Sequence, residues 1–210
     1  MRDNDRKEPQ YDGTYALLRQ PYLSVYERRY HLSDGHSTSY YVTANTPPGL
    51  NLEDEELISR TSGVAVLAES EDGKRVLLNH EFRMAVNAYT YNLPMGLVGK
   101  DEDPVQAARR ELVEETGLSI KRICAISPEM YINIGTTANR MQIIYCVAEG
   151  DLRASDREKE ITRPFWATRK DLFRSLLPVH GRMFSSIGYA YAAMWASSPG
   201  TMELLWDSQY

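Results

Sequence analysis

The spacing of hydrophobic and polar positions changes several times along the chain, and each change predicts an element. Residues 1–21 are polar with no sustained period and read as an N-terminal arm. Two β-rich runs follow, Leu23-Ser-Val-Tyr-Glu-Arg-Arg-Tyr-His-Leu and Ser37-Thr-Ser-Tyr-Tyr-Val-Thr, around an Asp34-Gly35 pair. That pattern predicts a hairpin. Thr46-Pro-Pro-Gly and the acidic run Glu53-Asp-Glu-Glu read as a solvated connector, so residues 22–60 are expected to form a small β-rich unit and its link. The main domain is expected over 61–175. Gly63-Val-Ala-Val-Leu-Ala reads as a buried strand, Glu71-Asp-Gly-Lys as a turn and Arg75-Val-Leu-Leu-Asn-His-Glu-Phe as the returning strand. Tyr89-Thr-Tyr-Asn-Leu predicts a short strand ending at Pro94, and a helix is expected at about 104–116. Further strands are expected at 121–131, 140–149 and 163–168, with a short helix from Asp171 to Leu177. Residues 176–210 read as a C-terminal helical extension. Its helix, about 181–196, carries small residues at Ser185, Gly188 and Ala192 that suit close backbone packing. Strands interleaved with a few helices predict an α/β or α+β sandwich.

Composition narrows the classes without changing this outline. The chain has 210 residues, 42% hydrophobic and 25% charged, with 24 Lys+Arg against 29 Asp+Glu and a formal net charge of −5. It is long enough to bury a core without covalent staples. The acidic balance argues against a general nucleic-acid binder and against a membrane-surface protein held by charge. A phosphate-bearing substrate stays open, because metal ions can supply positive charge locally. Cys124 and Cys146 sit in apolar runs and read as buried reduced thiols, which points to a cytoplasmic location. No secretory signal and no membrane-length apolar run is visible. The four histidines show no metal-ligand spacing.

The chemistry is concentrated in residues 96–118. Asp103 suits a helix cap and Pro104 the first helical position, while Gly117 suits the C-terminal cap. Val105, Ala108 and Leu112 recur at helical spacing and form an apolar face. Glu111 and Glu115 are four apart, with Glu114 beside them, and like charges at that spacing destabilise an isolated helix by a few tenths of a kcal/mol. A solvated acidic face is one reading. The other is a site for hard divalent cations, which prefer oxygen ligands. Arg110 would then hold a carboxylate of the cluster through its planar fork.

This window resembles the Nudix box. The family order is Gly, five residues, Glu, seven residues, Arg-Glu, an apolar residue, any residue, Glu-Glu, any residue, Gly and an apolar residue. Gly96, Glu102, Arg110, Glu111, Leu112, Glu114, Glu115, Gly117 and Leu118 fill it without a mismatch. Seven fixed identities would coincide by chance in about one chain of this length in a million. The resemblance implies a Nudix-type α/β/α sandwich with a mixed sheet, and a loop-helix-loop that binds Mg²⁺, with Mn²⁺ as a substitute. It implies hydrolysis of a nucleoside diphosphate linked to another moiety. Carried over, Glu111, Glu114 and Glu115 are metal ligands, Arg110 orients the cluster, and Glu102 is structural and charge-orienting.

Asn92-Leu-Pro-Met-Gly96 resembles the Glu-Leu-Pro-Ala-Gly run of ADP-ribose pyrophosphatases, where the carbonyl of the residue before the box glycine, here Met95, is a metal ligand. Glu81-Phe-Arg83 is similar to their Gln-Tyr-Arg segment, whose arginine contacts substrate. Their N-terminal β-domain, exchanged within a homodimer, matches the hairpin predicted at 22–45, so Tyr26 and Tyr30 become candidates for stacking on a nucleobase. In that group a glutamate on the loop before the final strand often serves as base, which makes Glu160, and after it Glu158, the candidates here. Two departures bear on the substrate: Asn92 replaces the usual Glu, and Asn139 stands where an acid is usual. The expected activity is cleavage of ADP-ribose to AMP and ribose 5-phosphate. Another sugar nucleotide or dinucleotide is the alternative, as is a non-catalytic nucleotide-sugar sensor. Residues 96–118 hold six acids against three bases, more than half of the net charge in about a tenth of the length.

Overall fold

The computed structural model describes residues 8–46, 53–155 and 161–198. It divides the chain into two compact units. The first comprises Met1–Ser62, Gly99–Asp101 and Met130–Met141, and the second Gly63–Val98, Glu102–Glu129 and Gln142–Tyr210.

In the first unit, β1 (Gln10–Gln20), β2 (Leu23–His31) and β3 (Ser37–Ala44) form an antiparallel sheet in that order. The hairpin expected around Asp34-Gly35 is present. Asp34 Oδ1 accepts the His36 N–H at 3.0 Å, and Gly35 takes a φ of +86° that a side chain would strain. β1 replaces most of the expected arm. Its residues are largely exposed, so the segment carries no burial signal of its own. Ladder hydrogen bonds and cation–π contacts hold it, with the Arg29 guanidinium 4.2 Å from the Tyr15 ring centroid. The acidic connector also departs from expectation. It starts α1 (Asp54–Ser59), where Asp54, Glu55 and Glu56 lie in the first turn and complement the positive end of the helix dipole. Leu57 and Ile58 of α1 pack with Tyr26, Val42 and Ala44 as this unit's core.

A mixed eight-stranded sheet, with few helices, has most of its strands in the second unit. Its central order is β11 (Thr162–Thr168), β5 (Arg75–Arg83), β4 (Thr61–Glu69), β10 (Arg140–Glu149), β8 (Ser119–Ile126). β6 (Ala88–Asn92) pairs with β5, β7 (Met95–Leu97) with β4, and β9 (Met130–Tyr131) with β10. The strand expected over 121–131 is therefore two. Pro128, which has no N–H for a ladder, lies in the break. α2 (Pro104–Thr116) has the bounds its caps predict. Asp103 Oδ1 accepts the Gln106 N–H at 2.8 Å, Gln106 Oε1 accepts the Asp103 N–H at 2.8 Å, and Gly117 closes the helix at φ +76°.

Ala107, Ala108 and Leu112 of α2 pack on Val64, Val66, Ala68 and Leu77. The strand period is two, so odd-numbered residues of β5 face α2 and even-numbered ones face away. α3 (Arg169–Asp171) passes into a π-helical turn over Leu172–Leu176, whose Leu176 lies near His80 on the away side, and α4 (Ser186–Ser197) follows in sequence. α4 starts five residues later than the sequence predicts because Ser185 caps it, accepting the Gly188 N–H at 2.8 Å. The segment before it runs beside β6, with the Tyr91 N–H donating to Met183 O at 2.8 Å. Among the described residues, no helix is long and apolar enough to cross a membrane.

Candidate functional site

β7 and α2 carry the motif, and the loop between them brings Glu102 to Arg110. The Arg110 guanidinium uses all of its edges. Nε and Nη2 donate to the two oxygens of Glu102 at 2.9 and 2.8 Å, Nη1 donates to Glu111 Oε1 at 2.5 Å and Glu114 Oε2 at 3.1 Å, and Nη2 also reaches the Leu97 carbonyl at 2.9 Å. The Glu102 hydrogen bonds raise the Arg110 pKa further above its ordinary value, so the group is a permanent cation among three carboxylates. A lysine could not reproduce this fork.

Glu111 and Glu115 are buried, at 7% and 5% exposure. They therefore do not belong to a solvated face: burying a carboxylate is costly unless polar partners or a cation offset it. Glu115 Oε2 accepts Asn79 Nδ2 at 2.8 Å and the Met95 N–H at 3.3 Å. Asn79 Oδ1 is buried and has no hydrogen-bond partner among the described residues, which leaves an unmatched acceptor beside Glu115. Gly96 is fixed by contact. A Cβ there would lie 2.0 Å from Glu111 Cδ and Oε1, so a side chain at this position would occupy the place of the carboxylate.

Among the described residues, no three His, Cys, Asp or Glu side chains are gathered closely enough, as they stand, to hold a metal ion. The chemistry of the donors nonetheless fits a hard divalent cation. Glu111, Glu114 and Glu115 present carboxylate oxygens, an amide oxygen lacks a partner beside them, and a glycine keeps the space open.

The other sequence-predicted residues are placed as follows. Met95 opens β7, and its sulfur accepts Asn92 Nδ2 at 3.2 Å. Arg83 ends β5, exposed, with Nε 3.8 Å from Glu81 Oε1. Tyr26 is fully buried in the core of the first unit, so its ring offers no face to a nucleobase. Tyr30 is half-buried beside Tyr11, with ring centroids 5.7 Å apart. Glu158 and Glu160 lie outside the described residues.

Sequence reasoning did not single out Asn79 or the burial of Glu81, and it read Ser185 only as a small residue suited to close packing. Glu81 is 4% exposed, and its Oε1 accepts Asn92 Nδ2 at 3.0 Å. Asn92 Oδ1 in turn accepts the Ser185 hydroxyl at 2.5 Å, tying the start of α4 to β6. The available signal was an amide in phase with Leu77 on a core strand, where an apolar residue is expected.

Comparison with known proteins adds three findings. The NUDIX domain family model matches residues 59–187. Two curated relatives named ADP-ribose pyrophosphatase align with the chain. The one from Saccharomyces cerevisiae is 33% identical over 103 residues, 48% of this chain and 43% of its own length. The one from Bacillus subtilis is 31% identical over 93 residues, 44% of this chain and 50% of its own length. The match thus spans about half the length of these relatives. A crystal structure described as an ADP compounds hydrolase superposes with a TM-score of 0.65 at 15% identity, covering 94% of this chain and 99% of that one, which is a likeness of fold.

Proposed function

This chain belongs to the NUDIX domain family, and on that premise we propose that it is a divalent-metal-dependent pyrophosphohydrolase of nucleoside diphosphate sugars, cleaving ADP-ribose to AMP and ribose 5-phosphate. One observation carries the reading. Arg110 draws Glu102, Glu111 and Glu114 onto one guanidinium, and Glu115 is buried next to them against Asn79 and the Met95 N–H. A structural helix has no need of two buried glutamates one turn apart. The names of the two aligned relatives support the choice of substrate.

Glu111, Glu114, Glu115 and the Met95 carbonyl are the groups that hold Mg²⁺ or Mn²⁺. When bound, the ion neutralises phosphate charge and acidifies water. Arg110 sets the orientation of two of the carboxylates, and Asn79 fixes one oxygen of the third. Arg83, exposed at the end of β5, is the substrate contact. Glu160, with Glu158 second, is the base that takes the proton from the attacking water. The three-stranded unit serves a homodimer and offers Tyr30 to the nucleobase. Two buried cysteines, Cys124 and Cys146, suit a reducing, cytoplasmic location.

Product analysis after incubation with Mg²⁺ and ADP-ribose, other sugar nucleotides, dinucleotides or nucleoside triphosphates tests this reading. AMP and ribose 5-phosphate are expected from ADP-ribose. Absence of turnover on the whole panel, with Mn²⁺ as well, overturns the enzymatic reading, and a stronger preference for another compound overturns the choice of sugar. Glu115→Gln retains an oxygen to accept from Asn79 and Met95, so it should fold normally and lose most activity. Near-normal turnover in that variant would mean the metal site is misplaced.

A further inference from the structure

β5 presents its odd residues to α2, but its even residue His80 lies on the other face, among a set of aromatic rings. The His80 ring is 4.6 Å from Tyr91 with planes 24° apart and 5.0 Å from Tyr89, and Tyr91 stacks on Phe184 at 4.9 Å and 27°. Phe165 meets Tyr91 edge-on at 6.0 Å. These rings are half-buried to exposed, unlike the sealed core beneath them. Three of them, His80, Tyr91 and Phe165, line a cavity of about 290 Å³ together with Arg163, Pro164 and Leu176. Small-molecule sites are commonly concave, mostly apolar and equipped with few polar groups, and this volume lies at the lower end of their range.

The polar groups here are cations. Arg163 is exposed at the start of β11, with its guanidinium 5.5 Å from the Tyr89 ring centroid. Arg182 donates to the Tyr91 hydroxyl at 2.7 Å and lies 5.8 Å from that ring's centroid. Among the described residues, neither arginine has a carboxylate within 4.0 Å, whereas Arg110, Arg28 and Arg29 all do. The local field agrees. After burial, the influences that lower the His80 pKa are Arg163 and Arg182. The segment bearing Arg182 is held to β6 by backbone hydrogen bonds on both sides of Phe184, so it presents its charge from a fixed position.

A cavity lined by the rings of His80, Tyr91 and Phe165 and by Arg163, with Arg182 bonded to the hydroxyl of Tyr91, matches one ligand chemistry: a flat ring for stacking joined to a compact anion for the forks. We propose that this face is a second nucleotide site, distinct from the carboxylate cluster on the opposite side of β5, and that it takes a nucleoside monophosphate with its base against the rings and its phosphate at Arg163 and Arg182. A monophosphate suits the small volume better than a dinucleotide. The proposal does not depend on the catalytic reading, because the site needs neither Glu115 nor a metal.

Equilibrium dialysis with AMP in EDTA tests it. Wild-type protein and Glu115→Gln should bind AMP alike, at one molecule per chain. Arg163→Gln and Arg182→Gln should each weaken binding about tenfold, the loss expected for one charge-assisted contact at a partly exposed site. Both substitutions are at exposed positions, and circular dichroism checks that each variant is folded. Neither should alter the kcat or KM of the Mg²⁺-dependent reaction. Adenosine and inorganic phosphate should each bind more weakly than AMP. The proposal is overturned if wild-type protein binds no AMP in EDTA, if the double arginine variant binds it normally, or if Glu115→Gln abolishes binding.

Discussion

Replacing Gly96 by alanine isolates one contact and allows its cost to be worked out. The added Cβ would stand 2.0 Å from Glu111 Cδ and Oε1 and 2.5 Å from Cγ, where ordinary contact begins at 3.4 Å. The carboxylate must therefore move by about 1.4 Å. It cannot simply swing into solvent, because Glu111 is 7% exposed and its Oε1 is held by Arg110 at 2.5 Å. Overpacking of this kind costs about 1–3 kcal/mol, which for a chain of this size lowers Tm by about 2–4 °C per kcal/mol. A displacement beyond 1 Å of a group that positions the reaction costs on the order of 100-fold in kcat/KM. Backbone strain makes no contribution, since Gly96 is not among the residues with positive φ. Urea unfolding in EDTA, followed by tryptophan fluorescence, measures the stability term without metal linkage. The decisive measurement is the double-mutant cycle. Glu111→Ala removes all three clashing atoms, so Gly96→Ala in that background should cost no more than about 0.5 kcal/mol. An equal cost in both backgrounds would refute the steric argument and assign the glycine to backbone conformation instead.

Other perturbations give separate readings. Arg110→Lys loses the bidentate contact with Glu102 and can replace at most three of five hydrogen bonds. With a third of the side chain exposed, a loss of about 1–2 kcal/mol is expected in the same unfolding assay, and an unchanged midpoint would show that the cluster is held by packing alone. His80 has its pKa lowered, mainly by burial, so the unfolded chain binds more protons than the native one around its ordinary value. Stability from this group is therefore present above the unfolded pKa and is lost as pH falls through the lowered native value. His80→Gln should flatten the acid side of the pH–stability curve, and an identical slope would contradict this. Burial, then neighbouring Cys124, raises the Cys146 thiol well above its ordinary value. A thiol reagent at pH 8 should leave Cys146 unlabelled until denaturant is added, and stoichiometric labelling of the native protein would contradict the burial.

The site was more legible in the sequence than the frame around it, and particular residues show why. The bounds of α2 follow from Asp103, Pro104 and Gly117, whose effects are local. The association of Arg110 with Glu114, four residues on, follows from helical periodicity, whereas its bond to the adjacent Glu111 does not. β1 could not be read because both of its faces are largely exposed, and its pairing with β2 depends on backbone bonds that leave no mark in composition. Tyr26 looked equivalent to Tyr30, four residues on. Both have the same strand parity, so the arrival of Leu57 and Ile58 from α1 decides which ring is enclosed, and that packing is non-local. The offset of α4 has the same origin. The residues before Ser185 are bound to β6, and helical propensity cannot anticipate that competition.

Asn92 looked, in the sequence, like the loss of a carboxylate beside the box. The structure gives the substitution a partner. Asn92 Nδ2 donates to Glu81 Oε1 at 3.0 Å across the β5–β6 pair, and both side chains are buried. In the enzymes this segment resembles, the β5 position is an amide and the β6 position an acid. Here the acid is on β5 and the amide on β6, and the two are paired with each other. The exchange has a physical consequence. The amide, unlike a carboxylate, presents donor and acceptor edges together. Nδ2 serves Glu81 and the Met95 sulfur, while Oδ1 accepts from the Leu93 N–H and the Ser185 hydroxyl. The same residue thereby ties the strand leading into the box to the cap of α4. The negative charge moves to β5, in phase with Asn79 and Arg83, and Arg83 Nε stands 3.8 Å from it. A departure that bears on the choice of substrate thus also moves a charge from one strand to the next and ties the start of the C-terminal helix to β6.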